Sequence, residues 1–461
     1  MDERMRQRKR RRRKRILRRR IQLATLFLVL VSLIGIAFLL KPKQPSENPD
    51  KLPQTTVSQE ESESTKKLIN AYYQKFITEN ALSITNSDLT FADWLYEHYS
   101  LTTLEEPITD ALLYEITGES THVLSDRYQG LVSEANHIYE RDGKTAEQAE
   151  ITIAGDLCFA EDGFVLDYYD TVNDLEKCIS PELLSIMNET DVFYLNHEYA
   201  ISDRGAPLEG KYYTFRAKPE RMELLKEMGT DIVALANNHV YDYGEDALFD
   251  TTELLNENRI PYVGGGKNIE EAKRPIYFIV NGIKIGFVGA SNAEKFRYTP
   301  QATETTGGIL RAYDTTEYNE VIQKAAKNCD YLIAYIHWGT EDSNYLNDLQ
   351  QQMGREFLNS GADIVVGGHP HVLQGMEYVD GKPIVYSLGD FWFNSETKYT
   401  GLLQLQITLD GLKQMSFVPC LQTNLTTQYL NTAEKQEKLY QFLEDLSINI
   451  EIDSKGIIKA R

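Results

Sequence analysis

The order of apolar and polar positions divides the chain into segments of different kind. Residues 23–40 run without a charge, with only Thr25 and Ser32 as polar interruptions, which is enough helix to cross most of a bilayer core. Residues 42–65 are rich in Pro, Ser, Gln and Glu and nearly free of large apolar side chains, the composition of a flexible spacer. From Thr65 to about Gln148, apolar residues return at helical spacing, as in Leu68, Ala71, Tyr72 and Phe76, then Phe91, Trp94 and Leu95. This spacing predicts a small helical module. From Ile151 onward, short β-branched and apolar runs alternate with helical stretches, the signature of an α/β domain with a largely parallel or mixed sheet. The runs fall at 151–154, 192–195, 232–236, 276–280, 283–288, 331–336, 364–366 and 384–387. Two further runs, 402–408 and 414–418, flank Asp410-Gly411 and predict a closing hairpin. The tail beyond about Thr432 opens with a helix.

These segments give a basic tail at 1–20, a transmembrane helix at 21–40, a spacer at 41–64, a helical module at 65–148, a main domain at 149–396, and a hairpin with a helical tail at 397–461. Charge sets their orientation. The first twenty residues hold thirteen Lys or Arg against Asp2 and Glu3, while the whole chain carries −21. By the positive-inside rule the N-terminus is cytoplasmic and the main domain extracytoplasmic, at the cell membrane. An Arg-rich stretch alone also suits nucleic acid, but its place beside an apolar span makes it a topology signal. The sequence after residue 36, Ala37-Phe38-Leu39-Leu40-Lys41, offers no cleavage site of small residues, which favours an uncleaved anchor over a secretory signal. The acidic remainder argues against nucleic acid and anionic membrane surfaces as partners, though not against an anionic substrate held by metal. Cys158, Cys178, Cys329 and Cys420 show no CxxC spacing, so neither a thiolate zinc site nor a disulfide framework is indicated, and they read mostly as buried small residues.

Six of the apolar runs end in groups that can bind a metal or move a proton: Gly155-Asp156, Asn196-His197-Glu198, Asn237-Asn238-His239, His337-Trp338-Gly339-Thr340-Glu341, His369-Pro370-His371 and Gly389-Asp390. Five of the eight histidines lie in these segments. In open α/β sheets the carboxyl ends of neighbouring strands converge on one crevice. His369-Pro370-His371 is the sharpest local signal, because a residue before proline is pushed to extended backbone and extended residues two apart point the same way. Gly367 and Gly368 allow close backbone approach there. The turn from Asn237 to Gly244 has two readings: a catalytic amide, imidazole and carboxylate, or a simple turn in which Asp242 or Asp246 caps a helix beginning near Ala247. Asp156 and Glu198 are costly at a sheet end unless paired or bound to a cation. His337 reads as a ligand or as a core-edge histidine, with Trp338 packing and Glu341 in solvent, and Asp390 as a site or turn residue. Oxygen and nitrogen donors without thiolate suit Mn²⁺, Zn²⁺ or Fe. Hydrolysis assisted by one or two divalent ions is the chemistry such a set implies.

In combination these motifs resemble the capsule-biosynthesis family of CapA type, named for poly-γ-glutamate synthesis. The match spans about residues 151–394 and rests on Gly155-Asp156, Asn196-x-Glu198, Ala236-Asn237-Asn238-His239-x-x-Asp242-x-Gly244, His337-Trp338-Gly339-x-Glu341, Gly368-His369-Pro370-His371-Val372-x-Gln374 and Tyr386-Ser387-Leu388-Gly389-Asp390-Phe391. The resemblance implies a calcineurin-like metallophosphoesterase fold, an α/β sandwich of two sheets flanked by helices. It implies Asp156, Glu198, Asn238, His337, His369 and His371 as metal ligands, with Glu198 bridging, and His239 as general acid beside Asp242. Implied partners are an anionic envelope polymer such as poly-γ-glutamate and other capsule-synthesis membrane subunits. Two departures stand out. Asp156-Leu157-Cys158 lacks the histidine of the usual Asp-x-His, and Asp390 replaces the Asn of the usual Gly-Asn-Phe, where its carboxylate offers an extra ligand. The functions that follow are a metal-dependent hydrolase or transferase acting on a phosphoester or polymer end, or a non-catalytic assembly or export subunit that binds metal and polymer. A purely structural surface anchor accounts poorly for so many ordered motifs.

Overall fold

The computed structural model describes residues 137–161 and 163–461. The expected basic tail, transmembrane helix, spacer and most of the helical module lie outside the described residues. Among the described residues no helix is long and apolar enough to cross a membrane.

In chain order the strands of the two large sheets begin with β1 (Ile138–Arg141), β2 (Ala149–Leu157), β3 (Val192–His197), β4 (Ile232–Ala234), β5 (Tyr262–Val263) and β6 (Ile276–Val280). They continue with β7 (Ile283–Ser291), β8 (Tyr331–His337), β9 (Ile364–Gly368), β10 (Met376–Val379), β11 (Lys382–Val385) and β12 (Asp390–Trp392). Last come β13 (Lys398–Thr408), β14 (Gly411–Thr423), β15 (Thr426–Tyr429), β16 (Ile450–Ile452) and β17 (Ile457–Ala460). The first sheet has seven strands in the order β1-β6-β7-β8-β9-β11-β10. The second has ten: β16-β17-β14-β13-β2-β3-β4-β5, with β12 on β2 and β15 on β14. Within this mixed architecture the centres β2-β3-β4-β5 and β7-β8-β9-β11 are parallel.

The two sheets pack face to face. Ile151, Ile153, Tyr194 and Ile232 of the second meet Phe278, Phe287, Ile333 and Tyr335 of the first, and the Tyr194 ring stacks on Phe287 at 5.7 Å. The opposite face of the second sheet, through Phe193, Leu195 and Val233, is covered by α1 (Phe164–Val172), α2 (Pro181–Glu189), α3 (Met222–Glu227) and α4 (Glu245–Glu257). The first sheet's outer face, through Val288, Leu332 and Ala334, is covered by α5 (Ile269–Lys273), α6 (Thr316–Ala326) and α7 (Asp348–Asn359). Burial on both faces explains why these strands read as continuous apolar runs rather than as alternation. Truncating one such anchor, Phe287→Ala, costs about 3–5 kcal/mol.

Several expectations are corrected. Ile138–Arg141, inside the expected helical module, is a strand pairing in parallel with β6. The hairpin strands are longer than predicted and place β13 beside β2, because their Thr, Gln and Ser positions face partly outward and dilute the apolar signal. The tail adds two strands, β16 and β17, after its helix α8 (Ala433–Leu446). Helix α4 begins at Glu245 with Gly244 as its cap residue, so neither Asp242 nor Asp246 caps it.

Candidate metal centre

Parallel strands from both sheets end side by side, and register brings their terminal residues together. Asp156 on β2 pairs with Asn196 on β3 and with Asp390 on β12. In the other sheet His337 on β8 pairs with Gly368 on β9. The turn after β4 adds Asn237, Asn238 and His239. All these side chains are buried except His371, which is mostly so. A Cβ on Gly368 would lie 2.6 Å from Asp156 Oδ1, so only glycine lets the strands close here.

Asn196 joins three of these side chains by hydrogen bonds. Its amide donates to Asp156 Oδ1 at 2.8 Å and to Glu198 Oε2 at 3.0 Å, while its oxygen accepts from Asn237 at 3.0 Å. His337 Nε2 lies 2.7 Å from Asn238 Oδ1 and 3.4 Å from Glu198 Oε1. His371 Nε2 lies 4.0 Å from the same Glu198 oxygen. The His369 and His337 rings are 4.8 Å apart. The backbone N–H of His369 donates to Asp156 Oδ2 at 3.1 Å.

His369-Pro370-His371 does not achieve this by extended backbone, as the sequence suggested. His369 has φ 97° and His371 φ 58°, left-handed values that cost a non-glycine residue about 1–3 kcal/mol each. A tight turn at the end of β9, rather than a continued strand, aims both imidazoles inward, with ring centroids 6.0 Å apart.

Three groups place one donor atom from each member within 4.8 Å of the others: Glu198, His337 and His369; Asp156, Glu198 and His371; and Glu341, His369 and His371. The first two share Glu198. The residues fit a divalent ion on two further grounds. Glu198 Oε1 and His369 Nδ1 are buried without a hydrogen-bond partner, a state that is costly for a carboxylate unless a cation completes it. Burial, reinforced by Glu198, raises the Asp156 carboxyl to about 8, and burial raises Glu198 to about 7. A cation between them reverses that preference. Burial also pushes His337 and His369 well below the usual imidazole range, which keeps them neutral and able to ligate. At His371 burial opposes the charge, yet Asp390 and Glu198 outweigh it and raise the ring to about 10.

Asp390 stands behind His371. The imidazole Nδ1 donates to Asp390 Oδ1 at 2.8 Å, and the other carboxylate oxygen accepts from Asn394 at 3.1 Å. A carboxylate in that position fixes the tautomer that leaves Nε2 free for a metal, so the geometry makes Asp390 an orienting group rather than the extra ligand expected.

Beside this cluster His239 Nδ1 donates to Asp242 Oδ2 at 2.7 Å. Asp242 also accepts from Lys211 Nζ at 2.6 Å and from the Phe215 backbone at 2.7 Å. Lys211 in turn donates to the carbonyl of Asn238. The Phe215 ring covers His239 at 4.3 Å, and Tyr213 and Tyr212 continue that aromatic row to the surface.

The family of the bacterial capsule synthesis protein PGA_cap matches residues 150–395, the stretch that carries the residues of this centre. The chain belongs to this family. It is 34% identical over 204 residues to the PGA biosynthesis protein CapA of Bacillus subtilis (strain 168), covering 43% of this chain and 53% of that one. It is 32% identical over 238 residues to the capsule biosynthesis protein CapA of Bacillus anthracis, covering 50% and 57%. A probable polyglutamine synthesis accessory protein of Mycobacterium tuberculosis is 27% identical over 219 residues, covering 45% and 58%. The chain thus spans somewhat over half the length of the curated relatives it matches.

Against this PGA_cap background, the structure brings together all six expected ligand residues and sets His239 with Asp242 next to them. Cys158 contributes nothing to the centre: it is buried, its backbone N–H donates to Trp392, and burial raises its thiol well above the usual range. His197 also turns away, against Tyr199 at 3.9 Å. Sequence reasoning missed the joining role of Asn196, and Lys211 altogether. Lys211 lies in a loop with no apolar run before it, so no periodic signal marked it.

Proposed function

We propose that this chain is a membrane-anchored protein of capsule or poly-γ-glutamate biosynthesis, with a calcineurin-like metallophosphoesterase domain on the outer side. Its centre hydrolyses a phosphoester in an envelope polymer or its precursor, using one or two ions of Mn, Zn or Fe type. The observation that carries this reading is the buried Glu198 carboxylate, whose Oε1 accepts no hydrogen bond and which is shared by two ligand groups. Glu198, His337, His369 and Asn238 would hold one ion, and Asp156, Glu198 and His371 the other. When bound, such ions lower the pKa of a water and withdraw charge from a phosphoryl oxygen.

The remaining work falls to the chain's own residues. Asp242 holds the His239 Nδ1 proton, so Nε2 is the ring atom turned to substrate, placed to hand a proton to the leaving oxygen. Lys211 and the Phe215 N–H fix Asp242, and the Phe215 ring keeps water from that side of the imidazole. Residues 21–40 would anchor the chain, with its partners an anionic polymer and other capsule-synthesis membrane subunits.

A second reading, a metal- and polymer-binding export subunit without turnover, is favoured by one observation. The first strand supplies Cys158 where a histidine ligand would stand, leaving the Asp156 group with one imidazole. Hydrolysis of bis(p-nitrophenyl) phosphate by the purified full chain with Mn²⁺ separates the two. The hydrolase reading expects turnover that is abolished in His371→Ala and falls about 10²–10⁴-fold in His239→Ala with Mn²⁺ still bound. Metal-loaded wild type without turnover favours the second reading.

A further inference from the structure

The loop after β8 is laid along the loop after β9. Trp338 N–H donates to the Gly368 carbonyl at 3.0 Å and Asp342 N–H to the Pro370 carbonyl at 2.9 Å. Left-handed backbone at Gly339, φ 93°, and at Asp342, φ 57°, turns the segment between those two bonds. The segment carries Glu341 to the mouth of the centre, where its carboxylate lies 4.0 Å from His369 Nε2. Among the described residues it has no other contact of this kind and accepts no hydrogen bond. The Glu341 side chain is 60% exposed. The carboxylate is placed to reach a cation, since ligand atoms about 2.0–2.2 Å from a common ion lie at most about 4.0–4.4 Å apart. The inward side of the same imidazole is buried, with Nδ1 lacking a partner.

We propose that Glu341 is a further ligand, on the solvent side, of the divalent cation that His371 holds, and so supplies the ligand that the first strand lacks at Cys158. This rests on the metal reading above. A carboxylate from the β8 loop replaces an imidazole from β2, and His369 stays with the ion of Glu198 and His337.

Calorimetric titration of the full chain with Mn²⁺ tests it, comparing wild type with Glu341→Gln, Glu341→Asp and Asp342→Asn. The expected result is that Glu341→Gln loses one equivalent of Mn²⁺ or weakens one binding step at least tenfold. Glu341→Asp should recover part of that loss, and Asp342→Asn should match wild type. Equal stoichiometry and affinity in wild type and Glu341→Gln overturn the assignment while leaving the Glu198 centre standing. A weakening as large in Asp342→Asn as in Glu341→Gln also overturns it, because general loop charge then accounts for the effect. Wild type that takes up no Mn²⁺ overturns both this assignment and the metal reading.

Discussion

Asp242 gives the most quantitative prediction. Three donors converge on its two oxygens: Lys211 Nζ at 2.6 Å, His239 Nδ1 at 2.7 Å and the Phe215 N–H at 2.7 Å. The carboxylate is fully buried and Lys211 has only 5% of its side chain exposed. In Asp242→Asn one oxygen is replaced by an amide NH₂ that faces donors and can accept nothing. At least one donor is then stranded, and the buried ammonium keeps the Asn238 carbonyl but, among the described residues, no charged partner nearer than Glu294, 3.8 Å away. Removing one partner of a buried ion pair costs about 3–5 kcal/mol, and the more distant Glu294 places the expectation near the lower end. Urea unfolding of the metal-free full chain, followed by tryptophan fluorescence, measures it. Lys211→Met should cost less, since Asp242 keeps two donors, and the double variant should cost less than the two single losses added together. A loss under about 0.5 kcal/mol in Asp242→Asn, the scale of an ordinary surface substitution, would refute the reasoning.

Three further outcomes follow from particular contacts. Lys284 is buried in β7 and burial lowers its ammonium to about 8. Between pH 8 and 10.5 the unfolded chain binds the extra proton, so this penalty is full below pH 8 and fades as pH rises. Lys284→Met should therefore raise stability at pH 7 by about 1–3 kcal/mol and by little above pH 10.5, as read by urea unfolding at both pH values. Gly368→Ala would press a methyl against Asp156 Oδ1 and the Tyr335 hydroxyl, and equilibrium dialysis should show Mn²⁺ affinity reduced at least tenfold. Tyr212 and Tyr213, 89% and 64% exposed on the row leading to His239, should affect substrate capture alone: Tyr212→Ala with Tyr213→Ala raises KM for a polymeric substrate several-fold and leaves Mn²⁺ binding unchanged.

Much of the α/β layout was legible because the central strands are buried on both faces and so appear as unbroken apolar runs. Their polar ends were legible for the same reason, since Asp156, Glu198 and His337 interrupt sequence that is otherwise apolar. What the sequence hid depends on topology and on local strain. Nothing in residues 398–423 announces that the hairpin lies beside β2, or that β1 joins the first sheet from the far side of β6. The left-handed turn at His369 and His371 reversed the argument from extended backbone while still converging the rings. Backbone values of that kind arise only when neighbours over-determine them, here through the Asp342 and Asp156 bonds to the turn. Lys211 was invisible because its role is defined by Asp242, 31 residues away.

Thermal melting of the full chain with and without Mn²⁺ tests the central claim most directly, because an ion that binds only the folded centre must stabilise it. At a metal concentration near 100 times Kd the gain is about 2.7 kcal/mol. The account predicts a clear rise in Tm for wild type that vanishes when Glu198→Gln is combined with His369→Ala. An unchanged Tm for wild type at millimolar Mn²⁺, Zn²⁺ and Fe²⁺, or an equal rise in the double variant, would contradict it.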